Sequence, residues 1–238
     1  MRTTTYDIID TPHPRDIKRP PIYKESHSFV QPLRLVTSLR RLTRQKPGNG
    51  ERVMLIPGWK SPQSVMFPLK VYLSKLGYSP KYWGIGFNNG QVERYRDILI
   101  EELLNENNSE KITLIGWSLG GVVAREVARS LPKKVAGVIT YGTPVIGGPK
   151  YTIGAKSWGK EEAKRIIALT EELDHSSPIT VPISTIFTKK DSIVNWSACI
   201  DHKSPNVTHY EVKSTHLSLG IDPEVWNIIS NHLKEYAE

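Results

Sequence analysis

The spacing of apolar and polar residues predicts a regular alternation of strands and helices from residue 51 onward. Short, uninterrupted apolar runs are typical of strands that are buried on both faces of a parallel sheet. Four strong runs and two weaker ones therefore predict six strands, which cover 53–56, 82–85, 111–115, 135–141, 183–187 and 207–212. Apolar residues at helical spacing predict the helices between them, which cover 64–76, 92–107, 119–130 and 223–236.

This alternation favours right-handed βαβ crossovers and a mostly parallel sheet with helices on both faces. The sequence thus predicts one α/β domain over residues 51–238, a size that single domains of this class commonly reach. The alternation stops between Pro144 and Pro182, where a helix is expected only over 160–173. An insertion of this length, at about 144–182, is long enough to form a small lid.

Residues 1–50 form a separate basic appendage, which we expect to pack on the core or to be partly mobile. Within it, apolar residues recur at helical spacing at Phe29, Leu33, Val36, Leu39 and Leu42. The basic residues of this region are Arg34, Arg40, Arg41, Arg44 and Lys46. The apolar face is expected to cover the domain's own core, and peripheral membrane contact by residues 29–46 is the alternative.

Charge and composition narrow the partners and the compartment. The chain carries 32 basic and 24 acidic residues, a net charge of +8, but it has no signature of a nucleic-acid-binding fold, so no nucleic acid is expected. It has no apolar run long enough to span a membrane, and the polar, proline-rich start does not resemble a secretory signal. A single cysteine, Cys199, is expected as a free buried thiol in a reducing compartment. These features predict a cytoplasmic protein.

One motif carries candidate chemistry. Gly116-Trp117-Ser118-Leu119-Gly120 reads G-x-S-x-G and falls between a predicted strand and a predicted helix. A sharp turn in this context holds the serine hydroxyl above the sheet at the N-terminus of a helix, where amide donors favour developing negative charge. Ser118 is therefore the candidate nucleophile.

A serine nucleophile needs a base and an acid that orients the base. Asp191 follows the strand at 183–187, and His216 lies between the last strand and the last helix, so both are expected at the carboxyl edge of the sheet. The rival candidates for the base are His202 and His209, and those for the acid are Asp174 and Asp201. Position along the chain favours Asp191 and His216.

The oxyanion of such a reaction needs two backbone N–H donors. Leu119, which follows the nucleophile, is expected to supply one. Trp59 in the loop Pro57-Gly58-Trp59 is expected to supply the other. The aromatic side chains expected to contact substrate are those of Trp59, Trp117, Tyr151 and Trp158, and core packing is the alternative role for each.

Together these motifs resemble those of the α/β-hydrolase superfamily over residues 51–238, and more narrowly those of small bacterial lipase- or esterase-like hydrolases. The segments that carry the resemblance are Gly116–Gly121, Tyr141–Pro144, Asp191–Trp196 and Thr215–Gly220. The resemblance implies hydrolysis of simple, lipid-like or polyester-type carboxylic esters by a triad of Ser118, Asp191 and His216, without a metal or an organic cofactor. Pro-Gly stands at 57–58 where many relatives have His-Gly.

Three functions stay open at this point. The first is carboxylesterase activity. The second is acyl transfer, or hydrolysis of an ester carried by an acyl carrier protein, which the resemblance of the Gly-Trp-Ser-Leu-Gly-Gly elbow also suggests. The third is a catalytically silent binding module, which the presence of all three triad residues argues against.

Overall fold

A six-stranded parallel sheet forms the centre of the computed structural model, which describes residues 5–9, 11–42 and 47–236. The strand order is β3-β1-β5-β6-β7-β8. The strands of this sheet are β1 (Arg52–Ile56), β3 (Ser79–Tyr82), β5 (Ile112–Trp117), β6 (Val135–Tyr141), β7 (Ile183–Phe187) and β8 (Val207–Glu211). A short antiparallel pair consists of β2 (Ser61–Pro62) and β4 (Phe87–Asn88). The predicted α/β class with a parallel central sheet is confirmed.

One predicted strand is displaced. The sequence placed it at 82–85, whereas β3 spans Ser79–Tyr82 and pairs with β1 from Arg52 to Leu55. β3 lies at the edge of the sheet and has one partner strand, so it tolerates Pro80, which would disrupt a central strand. The apolar residue Trp83, which suggested the strand, instead lies just beyond it and packs edge-to-face on Tyr95.

Helices cover both faces of the sheet and enclose two apolar layers. Their bounds are α1 (Gln31–Leu42), α2 (Phe67–Lys75), α3 (Val92–Asn105), α4 (Leu119–Ser130), α5 (Lys160–Ser176) and α6 (Pro223–Glu235). One layer packs the odd-numbered side chains of β1, such as Leu55, against α2 and α6. The other packs Met54 and Ile56 against α3 and α4. Because each strand is buried on both faces, its apolar run is continuous.

The N-terminal segment lies along the sheet and along α6. The N–H of Tyr6 donates to the carbonyl of His209 over 2.8 Å, and Thr5 forms an antiparallel bridge with Tyr210 on the outer strand β8. Helix α1 packs against α6. This segment therefore contacts the domain at several separate points.

The apolar face predicted for α1 is only partly buried. Leu42 is fully buried in the core, but Leu33 and Val36 are 70% and 63% exposed. The helix instead turns Leu35 toward the core, because its first turn is held by the polar contacts of Gln31. The side chains of Phe29, Leu39 and Arg41 and all of residues 43–46 lie outside the described part of the chain.

The insertion after β6 rises over the carboxyl edge of the sheet. Two short 3₁₀ segments at Gly148–Tyr151 and Ile153–Trp158 lead into α5, which is three residues longer than predicted. Arg129 anchors α5 by donating to the carbonyl of Leu173 over 3.0 Å and to the carboxylate of Asp174 over 2.6 Å. Among the described helices, none has the length and apolar character needed to cross a bilayer.

Candidate active site

Ser118 occupies the turn between β5 and α4 in a strained backbone conformation. Its φ of 52° and ψ of −124° lie in a region that non-glycine residues rarely adopt. The Thr143 hydroxyl donates to the carbonyl of Ser118 over 2.9 Å and helps to hold the turn. The strain lifts the serine side chain out of the sheet and toward solvent, as a nucleophile requires.

Close packing explains a glycine beside the turn. A Cβ on Gly120 would lie 2.3 Å from the carbonyl oxygen of Ile56 and 2.5 Å from that of Pro57. Real Cβ atoms do not approach backbone so closely, so a larger residue would push α4 away from the end of β1. This contact brings the N-terminus of α4 against the loop that follows β1.

Asp191 and His216 meet at the carboxyl ends of β7 and β8. Asp191 Oδ2 lies 2.7 Å from His216 Nδ1, and both side chains are buried. The other oxygen of the carboxylate, Oδ1, accepts the N–H groups of Ile193 and Val194 over 2.8 and 2.7 Å. The aspartate is thus fixed by its own loop and presents one oxygen to the imidazole.

The imidazole of His216 lies between the Asp191 carboxylate and the turn that carries Ser118. Its ring centroid is 5.7 Å from that of Trp117, the residue before Ser118. A Cβ on Gly142, whose φ is +60°, would lie 2.9 Å from His216 Nδ1, so a side chain there would displace the ring. His216 and Ser118 line the same cavity, although their side chains share no hydrogen bond in this conformation. Such bonds are often long before substrate binds.

The loop after β1 faces Ser118. A Cβ on Gly58 would lie 3.2 Å from Ser118 Cβ, so the backbone that leads to Trp59 passes beside the serine. Asn88 fastens this loop, because its side-chain amide donates to the carbonyl of Pro57 over 2.8 Å. Leu119 is the first residue of α4, and its N–H therefore has no acceptor within the helix. Two backbone segments suited to hold an oxyanion thus flank Ser118.

A cavity of about 920 Å³ opens above these groups and beneath the insertion. Its size suits a small ligand or an acyl chain. Three of the four predicted aromatic side chains, Trp59, Trp117 and Trp158, line it, and the rings of Trp59 and Trp158 lie 5.9 Å apart. Tyr151 does not line it, contrary to expectation, because its ring is turned toward His13 of the N-terminal segment, 6.0 Å away.

The rival acids have other partners. Asp201 is buried and pairs with Arg125 over 2.7 Å. Although burial opposes ionisation, the Arg125 guanidinium and donors in the same loop hold the pKa of Asp201 well below its ordinary value. Asp174 pairs with Arg129. Both carboxylates therefore serve ion pairs away from the imidazole of His216.

The rival base His209 contacts the buried ion pair of Asp201 and Arg125 through a hydrogen bond to the backbone of Asp201. Its Nε2 accepts the N–H of Asp201 over 2.9 Å, and burial lowers its pKa from 6.5 to about 4. An imidazole held neutral as an acceptor for a backbone amide is a structural element. Burial likewise raises the pKa of the Cys199 thiol, which lies enclosed in the core.

Sequence reasoning missed three polar residues at the site: Thr143 and Asn88, described above, and Glu25. The Glu25 side chain is buried, and its carboxylate reaches the loops of Asp191 and His216 from the N-terminal segment. A threonine after a buried strand gave a weak signal, whereas a glutamate so distant along the chain gave none. Among the described residues, no three His, Cys, Asp or Glu side chains converge as a metal site would require.

Comparison with known proteins agrees with this architecture. A sequence profile described as the alpha/beta hydrolase fold matches residues 75–162. An alpha/beta superfamily hydrolase from Oenococcus oeni superposes with a TM-score of 0.61 at 14% identity, over 80% of this chain and 94% of that one. A lipase-esterase related protein from Clostridium acetobutylicum superposes with a TM-score of 0.56 at 14% identity, over 81% and 97%. Over residues 75–162 the chain is therefore similar in sequence to the α/β-hydrolase fold family, and its overall fold is that of these solved structures.

Curated relatives with related sequences share one name. Pimeloyl-[acyl-carrier protein] methyl ester esterase from Shewanella woodyi is 33% identical over 99 residues, which are 39% of this chain and 36% of that protein. The protein of the same name from Aliivibrio salmonicida is 28% identical over 148 residues, 58% of this chain and 51% of its own length. The matches thus span between a third and about half of the length of these relatives.

Proposed function

We propose that this protein is a serine hydrolase of carboxylic esters, with Ser118 as nucleophile, His216 as base and Asp191 as the acid that orients the base. The observation that carries the proposal is the 2.7 Å contact between Asp191 and His216 at the wall of the cavity into which the Ser118 elbow also opens. The names of the curated relatives, which are esterases, support the same class of reaction.

The reaction proceeds in two halves. Ser118 Oγ attacks the ester carbonyl carbon while His216 Nε2 takes its proton, and Asp191 stabilises the resulting imidazolium. The tetrahedral oxyanion is held by the amides of Leu119 and Trp59. Its collapse breaks the bond to the alcohol oxygen, which leaves with the proton from His216. Water, deprotonated by His216, then attacks the acyl-enzyme and releases the carboxylic acid and free Ser118.

The test is hydrolysis of p-nitrophenyl esters of increasing acyl length by wild type and Ser118→Ala. We expect release of p-nitrophenol by wild type and its loss in Ser118→Ala. Ser130→Ala is the matched control, because Ser130 is an exposed serine at the far end of the same helix, and it should leave the rate unchanged. Full activity of Ser118→Ala would disprove the assigned nucleophile. An inactive wild type would instead favour the silent binding module.

A second proposal concerns how the substrate is presented. The protein carries a net charge of +8, and Arg94, Arg96 and Arg165 line the cavity, with Arg94 on its exposed side. Arg165 is paired with Glu93 and Glu162, and Arg96 is paired with Asp97, so Arg94 supplies the positive charge of the rim. Such a charge suits an acyl group presented by an acidic carrier protein, and the relatives' printed names refer to an acyl-carrier protein. We propose a carrier-linked ester as an alternative to a free ester, and acyl transfer to another acceptor as a variant of the same chemistry.

Salt separates the two forms of substrate. The rate with a carrier-linked methyl ester should fall as ionic strength rises, and Arg94→Ala should lower it. The rate with a free short ester should respond to neither change. Equal responses of both substrates would refute the role of the charged rim. A product that appears only when an alcohol or amine acceptor is added would identify acyl transfer.

A further inference from the structure

The N-terminal segment crosses the two loops that carry the acid and the base. We call residues 11–34 the strap, residues 188–195 the acid loop and residues 213–218 the base loop. The strap binds the acid loop through the side chain of Asn195, whose amide donates to the carbonyls of Pro14 and Ile17 over 2.8 and 3.0 Å. Arg19 adds a bond to the carbonyl of Ile193 over 3.1 Å.

The strap also binds the base loop. The hydroxyls of Ser28 and Thr215 lie 3.0 Å apart, and Gln31 Nε2 donates to Ser214 Oγ over 3.1 Å. The same Gln31 amide reaches Asp222, which caps α6, over 3.0 Å. The strap therefore links two loops that belong to different strands of the sheet.

Glu25 lies at the centre of this arrangement, because its carboxylate joins both loops at once. Oε1 accepts the N–H of Ser192 in the acid loop over 3.0 Å and the N–H of His216 in the base loop over 3.3 Å. Oε2 accepts the N–H of Leu217 over 3.0 Å. Ser192 directly follows the acid, and the amide at 216 belongs to the base itself.

Removal of the Glu25 carboxylate would cost free energy in the folded state. Glu25 is only 6% exposed, and a carboxylate buried to this degree is stabilised by the N–H donors that converge on it. Without the carboxylate, three backbone donors beside the acid and the base would lose their acceptor, which costs free energy in the folded state. The two loops would then regain acceptors only by shifting or by admitting water.

We propose that Glu25 is a positioning residue, which fixes the acid loop against the base loop and thereby aligns the Asp191–His216 pair with Ser118. The inference rests on the proposed esterase function for its kinetic consequence. The strap thereby becomes part of the site, although its sequence lies outside the segments that resemble other hydrolases. Glu25 does not touch substrate in this scheme and acts only through the backbone of the two loops.

The test compares Glu25→Ala and Glu25→Gln with Glu101→Gln, an exposed glutamate on α3. A displacement of about 1 Å in a reacting group can lower a rate by about 100-fold. We therefore expect Glu25→Ala to lower kcat for a p-nitrophenyl ester by roughly 10- to 100-fold with little change in KM. Glu25→Gln retains one acceptor oxygen and should have an intermediate kcat. Glu101→Gln should match wild type.

Hydrogen exchange supplies a readout that does not depend on activity. In Glu25→Ala, which removes both acceptor oxygens, the amides of Ser192, His216 and Leu217 should exchange faster than in wild type, whereas the amides of α4 should not change. Local acceleration with a lower kcat supports the proposal. Unchanged exchange in the two loops, or an unchanged kcat in both Glu25 variants, overturns it.

The two proposals fail in different ways. If wild type hydrolyses no ester, the proposed function fails, and the exchange rates alone then decide whether Glu25 holds the two loops together. Suppose instead that wild type and Glu101→Gln are equally active, that Glu25→Gln is less active, and that the amides of Glu25→Gln exchange faster over the whole chain. The role of Glu25 is then general stability. That result also overturns the positioning role.

Discussion

The two oxygens of the Asp191 carboxylate have different partners, and this division predicts the effect of a single substitution. Oδ1 accepts two backbone N–H groups, from Ile193 and Val194, and Oδ2 faces His216 Nδ1. In Asp191→Asn, the side-chain oxygen must occupy the place of Oδ1 and accept the two backbone N–H groups. The opposite orientation would set the NH₂ donor against two N–H donors. The NH₂ group therefore takes the place of Oδ2.

An NH₂ group in that place reverses the hydrogen bond to the imidazole. A carboxylate oxygen requires Nδ1 of His216 to carry the proton, which leaves Nε2 free to accept the proton of Ser118. A side-chain amide donates, so Nδ1 becomes the acceptor and the proton moves to Nε2. The base is then present in the wrong tautomer for general-base catalysis.

The expected loss is about 10⁴-fold in kcat, or about 5 kcal/mol of transition-state stabilisation, because the nucleophile is no longer deprotonated and the imidazolium is no longer paired. The assay is steady-state hydrolysis of a short p-nitrophenyl ester at pH 7–8, with circular dichroism to verify that the variant is folded. Asp97→Asn is the control, since Asp97 has a 63% exposed side chain that does not reach the cavity.

A folded Asp191→Asn variant that keeps more than a tenth of the wild-type kcat would refute this reasoning. It would mean that another group orients the imidazole or that His216 is not the base. Asp201→Asn is the complementary variant. If Asp201 were the acid, this variant would lose activity, whereas the structural role of Asp201 predicts that it loses stability.

Three further predictions concern stability. Asp201→Asn leaves the Arg125 guanidinium buried without its charge partner, so the free energy of unfolding in urea should fall by about 3–5 kcal/mol. Gly120→Ala places a Cβ 2.3 Å from the Ile56 carbonyl and should cost about 2–3 kcal/mol in the same measurement. The pKa of His209 is about 4 in the folded protein, below its ordinary 6.5, so the unfolded chain takes up a proton that the folded chain resists. Stability should therefore decline as the pH falls from 6.5 to 4, by on the order of 3 kcal/mol from this group, and His209→Gln should flatten that slope.

Each of the three stability predictions would be contradicted by a specific result. A change below about 1 kcal/mol in Asp201→Asn would show that solvent reaches the ion pair. An unaltered free energy of unfolding in Gly120→Ala would show that α4 can move away from β1 without cost. A slope that is the same with and without His209 would assign the acid sensitivity to other groups.

Much of the fold followed from local patterns. The uninterrupted apolar runs of β1, β5, β6 and β7 are direct consequences of burial on both faces, so they located the central strands to within a residue or two. The placement of Asp191 and His216 followed from topology, because the carboxyl ends of parallel strands meet at one edge. The structure brings these two side chains into contact without any further assumption.

The sequence could not reveal contacts between segments far apart in the chain. Glu25 lies 167 residues from Ser192 and 191 from His216, and neither its neighbours nor its own residue type signals those partners. Similarly, β3 is short, polar and contains Pro80, so it has no apolar pattern to detect. The direction in which the Tyr151 ring turns could not be predicted either, because an aromatic residue in an insertion gives no information on its orientation.

The outermost strands of the sheet also bear on how the protein behaves in concentrated solution. An exposed strand border invites another chain to add to it and to start an aggregate. On one side, β3 contains Pro80, which has no N–H to offer an incoming strand. On the other side, Thr5 and Tyr6 already pair with β8. Trimming those two residues would therefore expose a binding surface for other polypeptides and favour precipitation.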